Sequence, residues 1–335
     1  MKTEIKIIFL SLIIFCSCKK QEQNVLEFQE ITFENAPKLN KIIKEIEHGN
    51  RVESQYIGEG GSPSVLYKKY KSLKNIATKN QLIALTDHKN SSVRCYAFKA
   101  LNETNPSEAF SILLKHLTDT SRVITTNGCI GGISYVGDVY LNSVNLNSKQ
   151  SKIIDSILFY DSSIILSEKY SVISNKQAIS KNYQRLRLVV EKERNENALI
   201  ILSKYKKQSD VDLISTFFYK ENTQYSALKS AIEFSDEKFY PLICKIFENE
   251  WKQERYDYPK WKLCFQALAK YPQKHTLDLF ERTVNTKDEF RYNILCSYLL
   301  IAISKYPDQI YVSLKRKIKL DEFEMEQVKQ ELNSK

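Results

Sequence analysis

From residue 35 onward, apolar residues recur at intervals of three and four, the spacing that lines one face of an α-helix. Leu39, Ile42, Ile43 and Ile46 form the first stripe, with Asn35 as its cap, Pro37 in its first turn and Gly49 as its stop. Ser62-Pro63 opens a second stripe of Leu66, Tyr70, Leu73 and Ile76. Thr78 with Gln81 makes a capping-box pair ahead of Leu82, Ile83 and Leu85. Asn105-Pro106, with Glu108, opens another helix that carries Phe110, Leu113, Leu114 and Leu117. Further on, Ile153, Ile154, Ile157 and Leu158, then Leu186, Val189 and Val190, keep the same period. The pattern predicts an all-α chain.

Glycine placement sharpens this. All eight glycines lie between residues 49 and 61 or between 128 and 137, and none follows. About two hundred residues without glycine suit helices and lack the usual chemistry of tight hairpin turns. The GEGGSPS stretch at 58–64 reads as a loop ahead of the second helix. The NGCIGGISYVG segment at 127–137 reads as a helix whose glycines allow close packing. Its other reading is a pocket or anion loop at Asn127 and Cys129, although it matches neither GxGxxG after a strand nor GxxxxGK[ST].

Repetition gives the architecture. Leu117-Thr118-Asp119 repeats Leu85-Thr86-Asp87 after 32 residues, with Arg122 following. Ala267-Leu268-Ala269-Lys270-Tyr271-Pro272 returns as Ala302-Ile303-Ser304-Lys305-Tyr306-Pro307 after 35, and Ala231-Ile232 precedes the first copy by 36. Such periods belong to stacked helix pairs, each of which buries its apolar face only against its neighbours. Residues 78–123, and QLIALTDHKNSSVRCYAFKAL above all, resemble a HEAT repeat: an apolar first helix, Asp87 in the turn, then Val93-Arg94 and the small residues Ala97 and Ala100 on the second helix. The resemblance implies a HEAT-like α-solenoid of stacked antiparallel helix pairs. Asp87, Arg94 and Ala97 are then its motif residues, serving turn backbone, pairing between units and close helix contact. The C-terminal half keeps only the period and the small residues, so an irregular helical domain is its alternative.

The chain begins differently. Lys2 and Lys6 precede the apolar run Ile7–Phe15, which at ~1.5 Å per residue spans roughly half a ~30 Å hydrocarbon core. This is the length of a signal-peptide core, not of a membrane span. The following Phe15-Cys16-Ser17-Cys18 resembles the lipobox of bacterial lipoproteins, with Cys18 as acceptor because small Ser17 precedes it. The resemblance implies cleavage before Cys18 and acylation of its thiol and amine. With the HEAT-like motif, the whole chain is similar to HEAT-repeat lipoproteins of the Bacteroidota type. The expected organisation is a signal peptide at 1–17, a polar tether at 18–34, and HEAT-like helices at 35–145. A less regular helical region at 146–206 and C-terminal repeats at 207–335 follow. Lys19 is not the Asp that commonly retains lipoproteins at the inner membrane, which points to the outer membrane, on its periplasmic or surface face.

Charge and reactive side chains then narrow the function. The 335 residues carry a net +10, which falls to +9 when cleavage removes Lys2, Lys6 and Glu4. A basic helical array is compatible with nucleic acid, but an exported protein does not meet the chromosome. Anionic lipid or polysaccharide at the envelope is the alternative ligand. Cys95, Cys129, Cys244, Cys264 and Cys296 form no CxxC pair, and His48, His88, His116 and His275 have no HExxH spacing. No metal or other cofactor is expected. The cysteines read as small buried hydrophobes, with Cys95 and Cys129, one repeat apart, the pair to consider for a disulfide. The Trp251, Tyr256, Tyr258 and Trp261 cluster, beside Glu254 and Asp257, reads as packing or as an aromatic binding surface. No residue stands out as catalytic and no small-molecule substrate is indicated. The sequence therefore points to a non-enzymatic scaffold for an envelope protein partner, held to the membrane by its anchor.

Overall fold

A computed structural model describes residues 26–253 and 257–334. The expected signal peptide at 1–17 and Cys18 lie outside the described residues, as do Glu254 and Tyr256 of the aromatic cluster. Among the described residues the chain is mostly helical, with eighteen α-helices and one four-stranded sheet. The all-α expectation is therefore corrected, and the exceptions sit at the two glycine windows. The contacts divide the chain into two compact units between Val144 and Asn145.

The first unit runs α1 (Pro37–Gly49), β1 (Arg51–Ile57), β2 (Ser62–Pro63), α2 (Val65–Ile76), α3 (Lys79–Leu85), α4 (Ser91–Thr104), α5 (Pro106–Lys115), β3 (Arg122–Gly128), β4 (Ile130–Tyr135) and α6 (Val136–Ser143). Thr78 and Gln81 make the capping box in both directions. The second helix starts later than expected: Ser62-Pro63 pairs with β1, and Ser64 is the true cap, accepting from the Tyr67 N–H at 2.9 Å. Likewise Ala36, not Asn35, occupies the α1 cap, without a side-chain bond. At the far end of α1, Asn50 takes the left-handed conformation that closes the helix.

The sheet order is β2-β1-β3-β4. β1 and β3 are parallel, from Arg51 opposite Ile124 to Ile57 opposite Gly128, and the crossover between them is α2 to α5. The other neighbours are hairpins, and here the glycines act. Gly58 and Gly61, at φ +74° and +62°, turn β1 into β2. Gly128, at φ +60°, forms with Cys129 a two-residue turn joining Asn127 to Ile130. The close-packing role expected of Gly131 and Gly132 is corrected too. They lie on β4, and a Cβ added there would meet only Thr125, at 4.0 and 3.9 Å.

α4 is the hub of this unit, packing against α1, α2, α3, α5, α6, β1 and β3. Ala97 and Ala100 are fully buried, and their small side chains suit a helix with neighbours on so many sides. Phe98 stacks on Tyr140 with ring centroids 3.8 Å apart. The Tyr96 hydroxyl accepts from the Glu53 N–H at 2.8 Å, tying α4 to β1.

The second unit holds α7 (Ser148–Tyr160), α8 (Ser167–Ser174), α9 (Tyr183–Glu193), α10 (Glu196–Ser203), α11 (Val211–Ser215), α12 (Gln224–Glu233), α13 (Tyr240–Trp251), α14 (Tyr258–Leu268), α15 (Lys274–Val284), α16 (Glu289–Lys305), α17 (Val312–Lys317) and α18 (Glu322–Asn333). Every second helix packs on the next: α8 on α10, then α12, α14, α16 and α18 in succession. The intervening α9, α11, α13 and α15 each pack on the member of that row that follows them. The row helices are buried around much of their circumference. α16 hides Leu295, Cys296, Ser297, Leu299, Leu300, Ile301, Ala302 and Ile303, whereas α15 buries only Thr276, Leu279, Phe280 and Thr283 on one stripe.

Several polar contacts towards the end of this unit join residues 34 to 36 apart. Tyr271 bonds with both the Asp236 N–H and its carbonyl, 35 residues away. Tyr240 pairs with Thr276 at a separation of 36, Arg282 with Glu248 at 34, and Lys317 with Glu281 at 36. No helix among the described residues is long and apolar enough to cross a membrane.

Candidate functional site

Of the three motif residues, Arg94 sits at the centre of a buried joint and Asp87 at its edge, while Ala97 packs further along α4. Arg94 is fully buried in the first turn of α4, whose cap, Asn90, accepts from the Ser92 and Val93 N–H groups. Its Nη1 donates to the carbonyls of His88, at 2.7 Å, and Lys89, at 3.0 Å. Its Nε and Nη2 reach the Asp119 carboxylate at 3.0 and 3.4 Å. Asp119 also accepts from the Ser121 N–H at 3.0 Å. Burial alone would raise the Asp119 carboxyl; the His116 ring, the Arg94 charge and the Ser121 donors outweigh it and hold it below the usual range.

Asp87 does not pair with Arg94. It takes Lys115 at 2.6 Å and lies 3.2 Å from His116 Nε2, while His116 Nδ1 is 3.6 Å from Asp119. Asp87 and its repeat Asp119 thus flank one imidazole. Ala97 lies one turn further along α4, fully buried. The guanidinium has four donor contacts and no access to solvent, which makes it a joint and not a ligand site.

A segment that sequence reasoning missed closes this joint. Phe28 lies over the Arg94 guanidinium at 3.8 Å and stacks on His116. Gln29 bridges to the α3–α4 turn, its N–H donating to Asp87 and its carbonyl accepting from Lys89. Asn40 bonds both backbone groups of Phe33. The polar stretch before α1 is therefore fastened to the body from Phe28 onward. Its legible signal was the pair of phenylalanines, Phe28 and Phe33, in an otherwise polar run.

Glu30, Glu47 and His88 bring ligand-type atoms within 4.8 Å of one another, the cluster here that most resembles a metal site. The donors argue against that use. His88 Nδ1 accepts from the Asn90 N–H at 3.0 Å, so the neutral ring carries its proton on Nε2, the nitrogen a metal would need free. Burial also pushes the His88 ring below its usual range. Lys89 already stands between the carboxylates, 2.6 Å from Glu30 and 3.4 Å from Glu47. The cluster suits an ammonium and helps fasten the strap, the segment from Phe28 to Phe33 ahead of α1.

The other candidates are spread over both units. Cys129 is exposed at the β3–β4 turn, and Cys95 is fully buried in α4; both are free thiols. Burial pushes the Cys296 thiol up to about 12, and those of Cys95 and Cys264 higher still, so none of the three is a ready nucleophile. Trp261 is fully buried against Phe247, Phe265 and Trp251, which assigns that ring to packing. Trp251 lies beside two cations, Arg282 at 4.5 Å and Arg291 at 4.1 Å.

An open groove of about 590 Å³ runs between α1 and α2. Leu66, Val65 and the stems of Lys41, Lys44 and Lys69 line it, with Glu45 held by Lys69 at 2.6 Å. No protein-family model matches this chain, and no curated protein matches it either.

Proposed function

We propose that the chain is a lipid-anchored envelope protein, held through Cys18, whose helix pairs form a HEAT-like scaffold for another envelope protein without chemistry of its own. One observation carries the scaffold reading: every second helix of the second unit packs on the next, from α8 through α18. Polar bridges at separations of 34 to 36 support it, because they fall on the period of 35 and 36 that the sequence repeats. An array of this kind presents one continuous surface built from consecutive units, which suits binding to an extended protein surface. The buried joint at Arg94 and Asp119 supports a structural role for the HEAT-like motif.

The anchor reading rests on the Phe15-Cys16-Ser17-Cys18 segment. The strap adds a distance to it. Nine residues separate Cys18 from Phe28, and the ten steps between them, at ~3.3–3.6 Å each, reach about 35 Å at most. The first unit then stays close to the membrane, with the lysine-rimmed groove of α1 and α2 on it. That groove favours a second reading, in which the ligand is an anionic lipid. Crosslinking in intact cells followed by mass spectrometry separates the two. The scaffold reading expects repeated crosslinks from the second unit to one envelope protein. Crosslinks confined to lipid at Lys41, Lys44 and Lys69 support the second reading, and crosslinks to cytosolic proteins overturn both.

A further inference from the structure

Helix α2 carries lysine on both sides of its buried stripe of Leu66, Tyr70 and Leu73. Val65 and Lys69 turn toward the α1 groove. Lys71 and Lys74, roughly 200° and 140° round the helix from Lys69, turn away from it and meet α4. There Lys99 of α4 reaches the same place. Its ammonium lies 5.1 Å from the centre of the Tyr67 ring and 5.0 Å from that of Tyr70, and the Lys71 ammonium lies 5.4 and 5.8 Å from the same two. Tyr70 stacks in turn on Tyr96, with centroids 5.5 Å apart, which ties the rings to the body.

The carboxylate that faces these cations is already taken. Glu103 accepts from the Tyr70 hydroxyl and from Lys74, the latter at 2.7 Å. Among the described residues no carboxylate forms an ion pair with Lys71 or Lys99. Burial pushes the half-buried Lys99 ammonium below its usual range; Glu103 opposes the shift, and the Lys71 and Lys74 charges add to it. Three ammonium groups against one carboxylate leave two positive charges in excess, one of them half withdrawn from water, where a cation is ordinarily matched by an anion.

We infer that Lys71, Lys74 and Lys99 bind a phosphate group that carries two negative charges, as inorganic phosphate and phosphate monoesters do. The charge count selects this class: a carboxylate or a phosphodiester brings one charge, a phosphate monoester about two near neutral pH. Lysine suits it, since each ammonium acts as a point charge whose three donors turn to meet whichever oxygen is offered. The negative faces of Tyr67 and Tyr70 attract both ammonium groups and so hold them near each other against their own repulsion. Lys71 is exposed, so the anion enters from solvent, and half-buried Lys99 backs the inner side. The site lies across α2 from the lysine-rimmed groove and depends on neither reading of the function above.

The test is isothermal titration calorimetry of the full chain in detergent with inorganic phosphate, wild type against Lys99→Gln, Lys71→Ala, Lys99→Arg and Lys41→Ala. Circular dichroism melts check the fold of each variant, and exposed Lys71 keeps the test open if Lys99→Gln disturbs α4. Wild type is expected to bind one phosphate per chain. Lys99→Gln and Lys71→Ala should each weaken it by about tenfold or more, whereas Lys99→Arg keeps most of the affinity and Lys41→Ala, on the groove, all of it. Dihexanoyl phosphatidic acid and glycerol 3-phosphate, titrated in the same way, distinguish the source. Tighter binding of the first assigns the site to a lipid headgroup, and binding no tighter than that of glycerol 3-phosphate assigns it to a soluble phosphate. A wild type without saturable phosphate binding overturns the proposal. So does a loss with Lys41→Ala as large as with Lys99→Gln, which would reduce the binding to general basic charge.

Discussion

Replacing Arg94 with Met is expected to cost the first unit about 3–5 kcal/mol, because it leaves the Asp119 carboxylate buried without its partner. The Arg94 and Asp119 side chains are 1% and 0% exposed, so water cannot take over the lost contacts. The carbonyls of His88 and Lys89 lose their donor at the same time. Replacing both residues, Arg94→Met with Asp119→Leu, is expected to recover most of the loss, since a buried ion pair and a well-packed apolar pair are of similar stability. Urea unfolding of the three variants measures this, and a loss below about 1 kcal/mol for Arg94→Met contradicts the buried-joint account. The pH dependence follows from the same pair. The folded Asp119 carboxyl sits below its unfolded value. Its contribution is present above the unfolded value of about 4 and is lost as pH falls through the folded one. Acid should therefore destabilise the wild type more steeply than Arg94→Met, in which one cause of the depression is gone.

Trp261→Ala is the largest effect expected in the second unit, at about 3–5 kcal/mol. The ring is fully buried, 4.8 Å from Phe247 edge-on and 5.6 Å from Phe265 in a stack. Trp261→Phe should cost much less, about 1 kcal/mol. The Trp261 Nε1 donor is buried with no hydrogen-bond partner among the described residues, so removing it offsets part of the lost volume. Denaturant midpoints for the two variants check this order. Equal losses would mean that the indole nitrogen is satisfied and that the site is polar.

Much of the helical framework was legible because helix signals are local. Thr78 and Gln81 announce a start within four residues, and Leu82 and Leu85 repeat on one face, so no distant information is needed. Some contacts of the second unit fall near the 35- to 36-residue period, as Tyr271 with Asp236 and Lys317 with Glu281 do, while others join residues 23 to 42 apart. The sheet was missed for two reasons. In β1 the inward position belongs to Glu53, buried through Ser64, so alternation of apolar and polar residues does not reveal the strand. In β3 the run Val123-Ile124-Thr125-Thr126 carries the β-branched signal, but its parallel partner β1 lies some seventy residues earlier, beyond any local pattern. The glycines misled for a related reason: a φ above zero at Gly128 and close packing on a helix both call for glycine.

The joint at Arg94 was half legible. The motif marks Asp87 and Arg94 as important, and the 32-residue repeat marks Asp119. Which carboxylate takes the guanidinium depends on the turn geometry that places Asp119, not Asp87, at its Nε. Phe28 and His116 could not be assigned to this joint from sequence, since the contact joins a polar leader to the end of α5 across more than eighty residues.

The central claim is that an acylated cysteine fixes a stack of helix pairs to the envelope, and incorporation of radiolabelled palmitate in growing cells tests it most directly. The account predicts label on the wild-type protein and none on Cys18→Ser, with the body folding equally in both. Unlabelled wild type, or label that persists after Cys18→Ser, would contradict it, and the envelope partner proposed for the scaffold would go with the anchor.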